Sequence, residues 1–314
     1  MSEIEQTPVE LPRGIALAWG VAANPQRGPK REMSVERIVE TAVELADREG
    51  IGAVSMAAVA KKLGFTPMSL YRYVSAKDDL LLLMQEEATG LPPEEHRTAD
   101  GWRRALEVLF RAQVEIYLRH PWILALPIAG SPITPNSSAW LDAALGALAE
   151  TPLAPSERLA VALAVTGQAR WCGIVNAGYS EAARADGLAP EEVAAREAAL
   201  FDAVIDADGY PALRGAIDAG VFLDEADPFR FGLARLLDGV EGYIARLDRG
   251  EPPASEGGWI ELDDADVLED KRYRAAAKAS RDAQKALVAA EKALRQARRA
   301  QAQALKEARE RAAR

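Results

Sequence analysis

Apolar residues recur at steps of three and four along most of the chain, and no stretch shows the strict apolar–polar alternation of a half-buried strand. That periodicity predicts an all-α fold. Val35, Ile38, Val39, Ala42, Val43 and Ala46 mark a first helix that Ser34 can cap and Gly50 can end. A shorter helix follows Ser55, holds Val59, Ala60 and Leu63 on one side, and stops at Gly64. Thr66 can accept from the first free amides of a third helix, and Pro67 suits its first position because no amide partner is needed there. Leu70 and Val74 would seat that helix, and Ser75, three residues before Asp78, reads as the cap of a fourth. Helix-period segments continue at 102–119, 121–126, 136–149, 156–179, 190–207 and 228–247, separated by the Pro and Gly clusters LPPE, AGSPITP, TPLAP and DGYP.

These breaks predict a flexible, mostly extended N-terminal arm over residues 1–30, a helical head over 31–91 and a larger helical body over 92–250. A linker, 251–270, and a basic, Ala-rich tail, 271–314, follow. The tail is expected to be either one exposed helix or disordered. A net charge of -10 conceals a sharp division. Residues 78–270 hold 14 basic against 35 acidic side chains, while 271–314 hold 14 against 4. Within the head, the strip from Ser55 to Lys77 contains Lys61, Lys62, Arg72 and Lys77 and no acid, so a polyanion is drawn there and repelled by the body. The single cysteine, Cys172, cannot form an internal disulfide, and MSEIEQTPVE lacks the basic start and apolar block of a secretory signal, which points to the cytoplasm. The most apolar long segment, 159–178, carries Gln168, Arg170 and Asn176, so no membrane partner is expected.

Two short helices joined at Gly64 and backed by a longer one have the spacing of a helix-turn-helix unit. The second helix of such a pair enters the major groove, where outward side chains meet base edges and neighbouring basic and hydroxyl groups hold phosphates. Residues 67–73 suit this. Ser69 and Arg72 can donate to bases or phosphates, Pro67 and Met68 can meet thymine methyls, and Tyr71 and Tyr73 can reach backbone oxygens. Lys77 sits where helix amides also favour a phosphate. A small helical hairpin with solvated Lys and Tyr would share this composition, so the pattern alone leaves both readings open.

The run from Ser34 to Met84, with KKLGF, then LYRYV, then SAKDDLL, closely resembles the DNA-binding domain of the TetR (tetracycline repressor) family of bacterial transcriptional regulators. The resemblance is strong over 31–91 and weaker to about Leu247. It implies a homodimer that binds a palindromic operator in double-stranded DNA and lets go when a small molecule occupies each subunit. Carried across by position, the family's DNA contacts fall on Ser55, Met56, Ala57, Pro67, Met68, Ser69, Tyr71, Arg72, Tyr73 and Lys77. Ala57 stands where the tetracycline repressor has a base-reading Arg, and Arg72 and Tyr73 replace Trp and His, so a different operator is implied. The run Leu80 to Met84 sweeps more than a full helical turn and must be covered on several sides. In the family the matching helix swings like a pendulum when effector binds.

For the effector, Trp102, Phe110, Tyr117, Trp122, Trp140 and Trp171 supply flat surfaces suited to an apolar or aromatic molecule, although each could equally be core. With two histidines, His96 and His120, neither a metal-dependent effector nor a cofactor is suggested. Phe229, Leu233, Leu236, Val240, Tyr243 and Leu247 form a seam of alternating steps, with Gly232, Gly239 and Gly242 nearby. It is either one buried face of the monomer or, paired with the apolar helix 156–179, the four-helix dimer interface that the resemblance implies, and the second is the expectation. An enzyme is the rival of another class. It is disfavoured because no Gly-rich phosphate loop or metal-ligand cluster is present. An architectural DNA binder is the remaining alternative, and the basic tail would suit it.

Overall fold

The computed structural model describes residues 11–21, 33–128, 133–223, 226–253 and 266–312, and among them there is no strand. The helices are α1 (Arg13–Ala18), α2 (Val35–Glu49), α3 (Met56–Leu63), α4 (Pro67–Tyr71), α5 (Lys77–Thr89), α6 (Gly101–Arg119), α7 (Pro135–Ala147), α8 (Pro155–Asp186), α9 (Pro190–Val204), α10 (Pro211–Asp218), α11 (Pro228–Asp248) and α12 (Lys271–Ala312). The chain divides into two compact units, Met1–Pro252 and Pro253–Arg314.

In the first unit the head is built as its punctuation requires. Ser34 Oγ accepts from the Arg37 amide and Gly50, at φ 81°, ends α2. Ser55 Oγ accepts from the Ala58 amide, and Gly64, at φ 80°, takes the left-handed conformation that closes α3. Two expected caps are absent. The Thr66 hydroxyl meets the Ser69 hydroxyl at 2.9 Å instead of a free amide. The cap position of α5 falls on Ala76, one residue past Ser75, with no side-chain cap. Ile38, Val54, Val59, Leu70 and Val74 are fully buried together, each worth about 1.5–3 kcal/mol of transfer free energy.

The head's core does not stop at the head. It runs through Leu80, Leu83 and Met84 of α5 into Trp122 and Ile123 of a 3-10 turn, Pro121–Ala125, that follows α6. Helix α5 is packed by α1, α2, α6 and α7, which accounts for its continuous apolar run Leu80–Met84. A second core joins α6, α7, α8 and α11 through Leu106, Leu109, Trp140, Leu148, Val165, Leu233 and Leu237.

Three elements depart from what the periodicity predicts. The arm, expected to be mostly extended, contains a short helix, α1, which docks on α5 so closely that a Cβ on Gly14 would lie 2.8 Å from Asp79 Oδ1. Helix α8 runs to Asp186, where Gly187 stops it, rather than ending near Tyr179. A helix the periodicity did not reveal, α10, follows α9 and is held by Arg214, which pairs with Asp202 and Asp218.

The second unit is α12, a single helix of 42 residues, or about 63 Å at 1.5 Å per residue. The helical alternative for the tail is the one observed. The proposed linker lies mostly outside the described residues.

Candidate nucleic-acid interface and sensing body

Helix α4 is only five residues long and is aimed by what lies beneath it. Leu70 and Val74 are fully buried, fixing the helix's rotation, and the Val74 amide donates to Leu70 O at 3.0 Å. That rotation puts Pro67, Tyr71 and Arg72 outside, and leaves Met68 75% exposed. Ser69 and Tyr73 are half-buried at the flanks, with Tyr73 resting on the head's core. Ser55 and Ala57 are exposed at the start of α3, and Lys77 is exposed at the start of α5.

Met56 is different. It is 5% exposed and part of the core, so it anchors α3 instead of facing a ligand. Lys61 and Lys62, exposed in the last turn of α3, add cationic groups that transferring a motif residue by residue did not select. Among the described residues, this side of the head therefore exposes cationic, aromatic and small apolar side chains over a buried support.

The support is tied to the body by a link that no periodicity announced. The Trp122 indole N–H donates to Asp47 Oδ1 of α2 at 2.7 Å, and His120 Nδ1 lies 2.8 Å from the same oxygen. Trp122 and His120 follow α6, so one carboxylate of the head holds two side chains of the body. On the other side of α5, Glu86 Oε1 accepts from the Asn136 amide at 2.6 Å and Asn136 Nδ2 donates to Glu86 O at 2.9 Å, joining α5 to the first turn of α7.

The six aromatic residues expected at an effector site do not converge. Trp122 belongs to the head-to-body core, Trp140 to the body core with its N–H on Gly90 O at 3.0 Å, and Trp102 and Phe110 pack on that second core. Tyr117 lies against α8, where a Cβ on Gly173 would approach its ring to 2.9 Å. Burial raises the Tyr117 phenol above its ordinary value, with Arg170 opposing the shift. Trp171 is 57% exposed on the outer side of α8.

Among the described residues, two buried side-chain oxygens lack a hydrogen-bond partner in the protein, Glu86 Oε2 on α5 and Gln113 Oε1 on α6. Gln113 shares a face of α6 with Phe110 and Tyr117, three and four residues away. A separate open cavity of about 500 Å³ lies between α8 and α9, lined by Ile174, Gly178, Tyr179, Val193 and Leu200 with Arg196 and Glu197 at its edge. None of the six aromatics lines it. Among the described residues no group of His, Cys, Asp and Glu could hold a metal, and no helix is long and apolar enough to cross a membrane.

The α11 seam faces inward. Leu233 is buried in the second core, Leu236, Val240, Tyr243 and Leu247 pack on it, and the Tyr243 hydroxyl donates to Glu157 of α8. The outward side of α11 carries Phe231, 65% exposed, and Gly239 and Gly242, around which a Cβ would meet nothing within 4 Å. Leu159, Leu163, Trp171 and Ile174 form an exposed apolar row on α8. Within the single chain, the seam packs on the second core of its own body.

A recognition helix on a three-helix head, fused through one apolar helix to an all-α body, defines a helix-turn-helix DNA-binding regulator with a sensing domain. Residues 38–84 match the family model described as bacterial regulatory proteins, tetR family, and 93–244 match the tetracyclin repressor-like C-terminal domain. The chain is 32% identical over 243 residues to the HTH-type transcriptional repressor DrrR1 of Streptomyces coeruleorubidus, covering 77% of this chain and 89% of that protein. It is 34% identical over 207 residues to an HTH-type transcriptional regulator of Saccharopolyspora erythraea, covering 62% and 79%. In fold it is similar to apo ActR of Streptomyces coelicolor, with a TM-score of 0.56 and 20% identity over 69% of this chain and 99% of that one. ActR has also been crystallised with actinorhodin. The chain belongs to the TetR family, and is a ligand-responsive, DNA-binding transcriptional regulator.

Proposed function

We propose that two copies of the chain bind a palindromic operator as a repressor and release it when an apolar or aromatic small molecule enters each body. The observation that carries this reading is the exposure of Met68, Tyr71 and Arg72 on a helix locked by Leu70 and Val74. Ser55, Ala57, Pro67, Ser69, Tyr73 and Lys77 complete the DNA-facing set, with Met56 holding α3 in place. Such a protein acts in the cytoplasm, where its operator is.

For the dimer, the outward row of Leu163, Trp171 and Ile174 on α8 with Phe231 on α11 is the better candidate than the inward seam. It leaves a second copy apolar area to cover and leaves Gly239 and Gly242 open to close approach. For the effector, the face of α6 bearing Phe110, Gln113 and Tyr117 combines flat apolar walls with a buried acceptor, Gln113 Oε1, still to be satisfied. An aromatic molecule carrying hydroxyl donors fits that chemistry, and the complex of the related fold ActR with actinorhodin is consistent with it.

The test is footprinting of the purified protein on promoter DNA adjoining its own gene, followed by competition with hydroxylated aromatic compounds. A discrete palindromic footprint that one such compound abolishes is expected. Diffuse protection with no discrete site would instead support an architectural DNA binder.

A further inference from the structure

Helix α12 takes no part in either core, and all of its described side chains are exposed or half-exposed, including Leu287, Leu294 and Leu305 at 51%. Its charge is not spread evenly around it. At about 100° per residue, Arg274, Lys278, Arg281, Lys285, Lys292 and Arg295 fall within roughly a third of the circumference. The two acids in the same span, Asp282 and Glu291, fall outside that arc, and Ala276, Ala283, Leu287, Ala290 and Leu294 occupy the opposite face. From Arg274 to Arg295 the stripe is about 32 Å long, close to one turn of a DNA duplex.

We propose that this basic face lies along DNA phosphates beside the operator and binds them without regard to sequence. The proposal rests on the DNA-binding reading of the head. Charge complementarity identifies the occupant: a row of cations at helical spacing matches a row of phosphates, and their pairing releases condensed counterions. The opposite face argues against a membrane. It is mostly alanine, where a helix lying in a bilayer surface needs bulky apolar side chains. The acidic body, with 14 basic and 35 acidic residues over 78–270, is repelled by DNA, so a tail of the other sign supplies attraction the body cannot.

The experiment uses the full chain and the quintuple variant Lys278→Gln, Arg281→Gln, Lys285→Gln, Lys292→Gln, Arg295→Gln. Gln has nearly the helix propensity of Lys and Arg, and equal helicity by circular dichroism checks that α12 persists. The control, Arg272→Gln, Arg309→Gln, Arg311→Gln, removes charge outside the stripe. Affinity is measured against salt on the operator trimmed to its palindrome and on the operator with about 20 base pairs of flank, the length α12 spans.

On the flanked duplex, the slope of log K against log salt should fall in the quintuple variant by about 0.9 for each phosphate that the stripe no longer neutralises. On the trimmed duplex it should match the unmodified chain, and the control should keep the steep slope on both. Equal slopes for the unmodified chain and the quintuple variant on flanked DNA would overturn the proposal. So would a control effect as large, or loss of binding to phosphatidylglycerol vesicles with the DNA slope unchanged. If no discrete operator exists, the repressor reading fails on its own, and the same slope comparison on a generic duplex of equal length still decides the tail.

Discussion

Arg72 and Met56 sit at the far ends of the two helices joined at Gly64 yet do opposite jobs, and a substitution at each separates DNA-facing surface from scaffold. Arg72 is exposed at the end of α4, so Arg72→Ala should weaken operator binding by about 1–3 kcal/mol, or roughly 5- to 150-fold, with the urea midpoint unchanged. Met56 is buried, so Met56→Ala should cost about 2–5 kcal/mol of stability, read by urea denaturation, and weaken operator binding only through that loss. Tyr117 gives a third test at this scale. Burial raises its folded-state pKa above the ordinary value of 10.0, so the unfolded chain loses that proton first as pH rises. Its contribution is complete below about pH 10 and is lost as pH climbs through the raised folded value. Denaturation midpoints between pH 8 and pH 11 should therefore fall more steeply in the unmodified chain than in Tyr117→Phe.

Among whole elements, the proposed dimer turns on α8 and α11. Trp171→Arg with Phe231→Arg places charge on the outward row while leaving the buried Leu233 and Leu237 untouched. Sedimentation should show a shift from dimer to monomer with helicity preserved, and operator affinity should fall because paired heads are lost. A dimer that survives would return the interface to another face. The sequence could specify that α11 has an apolar side, since a period of 3.5 shows which residues share a stripe; it could not say whose core the stripe enters. The same limit explains α1. Six residues are too few for a periodic signal, and its place is set by Gly14 meeting Asp79 and Leu82 across the fold. Where the determining chemistry is local, as at Ser34, Gly50, Ser55 and Gly64, the helix ends were legible. The exposed side of α4 was legible too, because burial of Leu70 and Val74, four apart, fixes what remains outside. The effector site was not, because aromatic residues serve cores as readily as pockets.

Across the molecule, regulation requires that an effector prefer a body conformation in which the heads no longer fit successive grooves. The preference must cross from body to head through interactions that exist, and Asp47 makes some of the few polar ones, holding Trp122 and His120 of the body from α2 of the head. If effector weakens operator binding by some factor, bound operator must weaken effector binding by the same factor, commonly 5- to 150-fold. Titrating effector into free protein and into the operator complex measures that factor twice, and the two values must agree. Asp47→Ala leaves the 4% exposed Trp122 with its indole N–H unpaired, at a stability cost of about 1–3 kcal/mol. The DNA-facing surface of α4 is unchanged, so operator affinity without effector should stay within a few-fold. The coupling factor should shrink toward one if the signal passes through this link, because the head is then no longer held to Trp122 and His120. An unaltered factor in Asp47→Ala would mean that the signal passes through the apolar packing of α5 on α2 and α7 instead, and that the Asp47 link serves only to hold the two parts together.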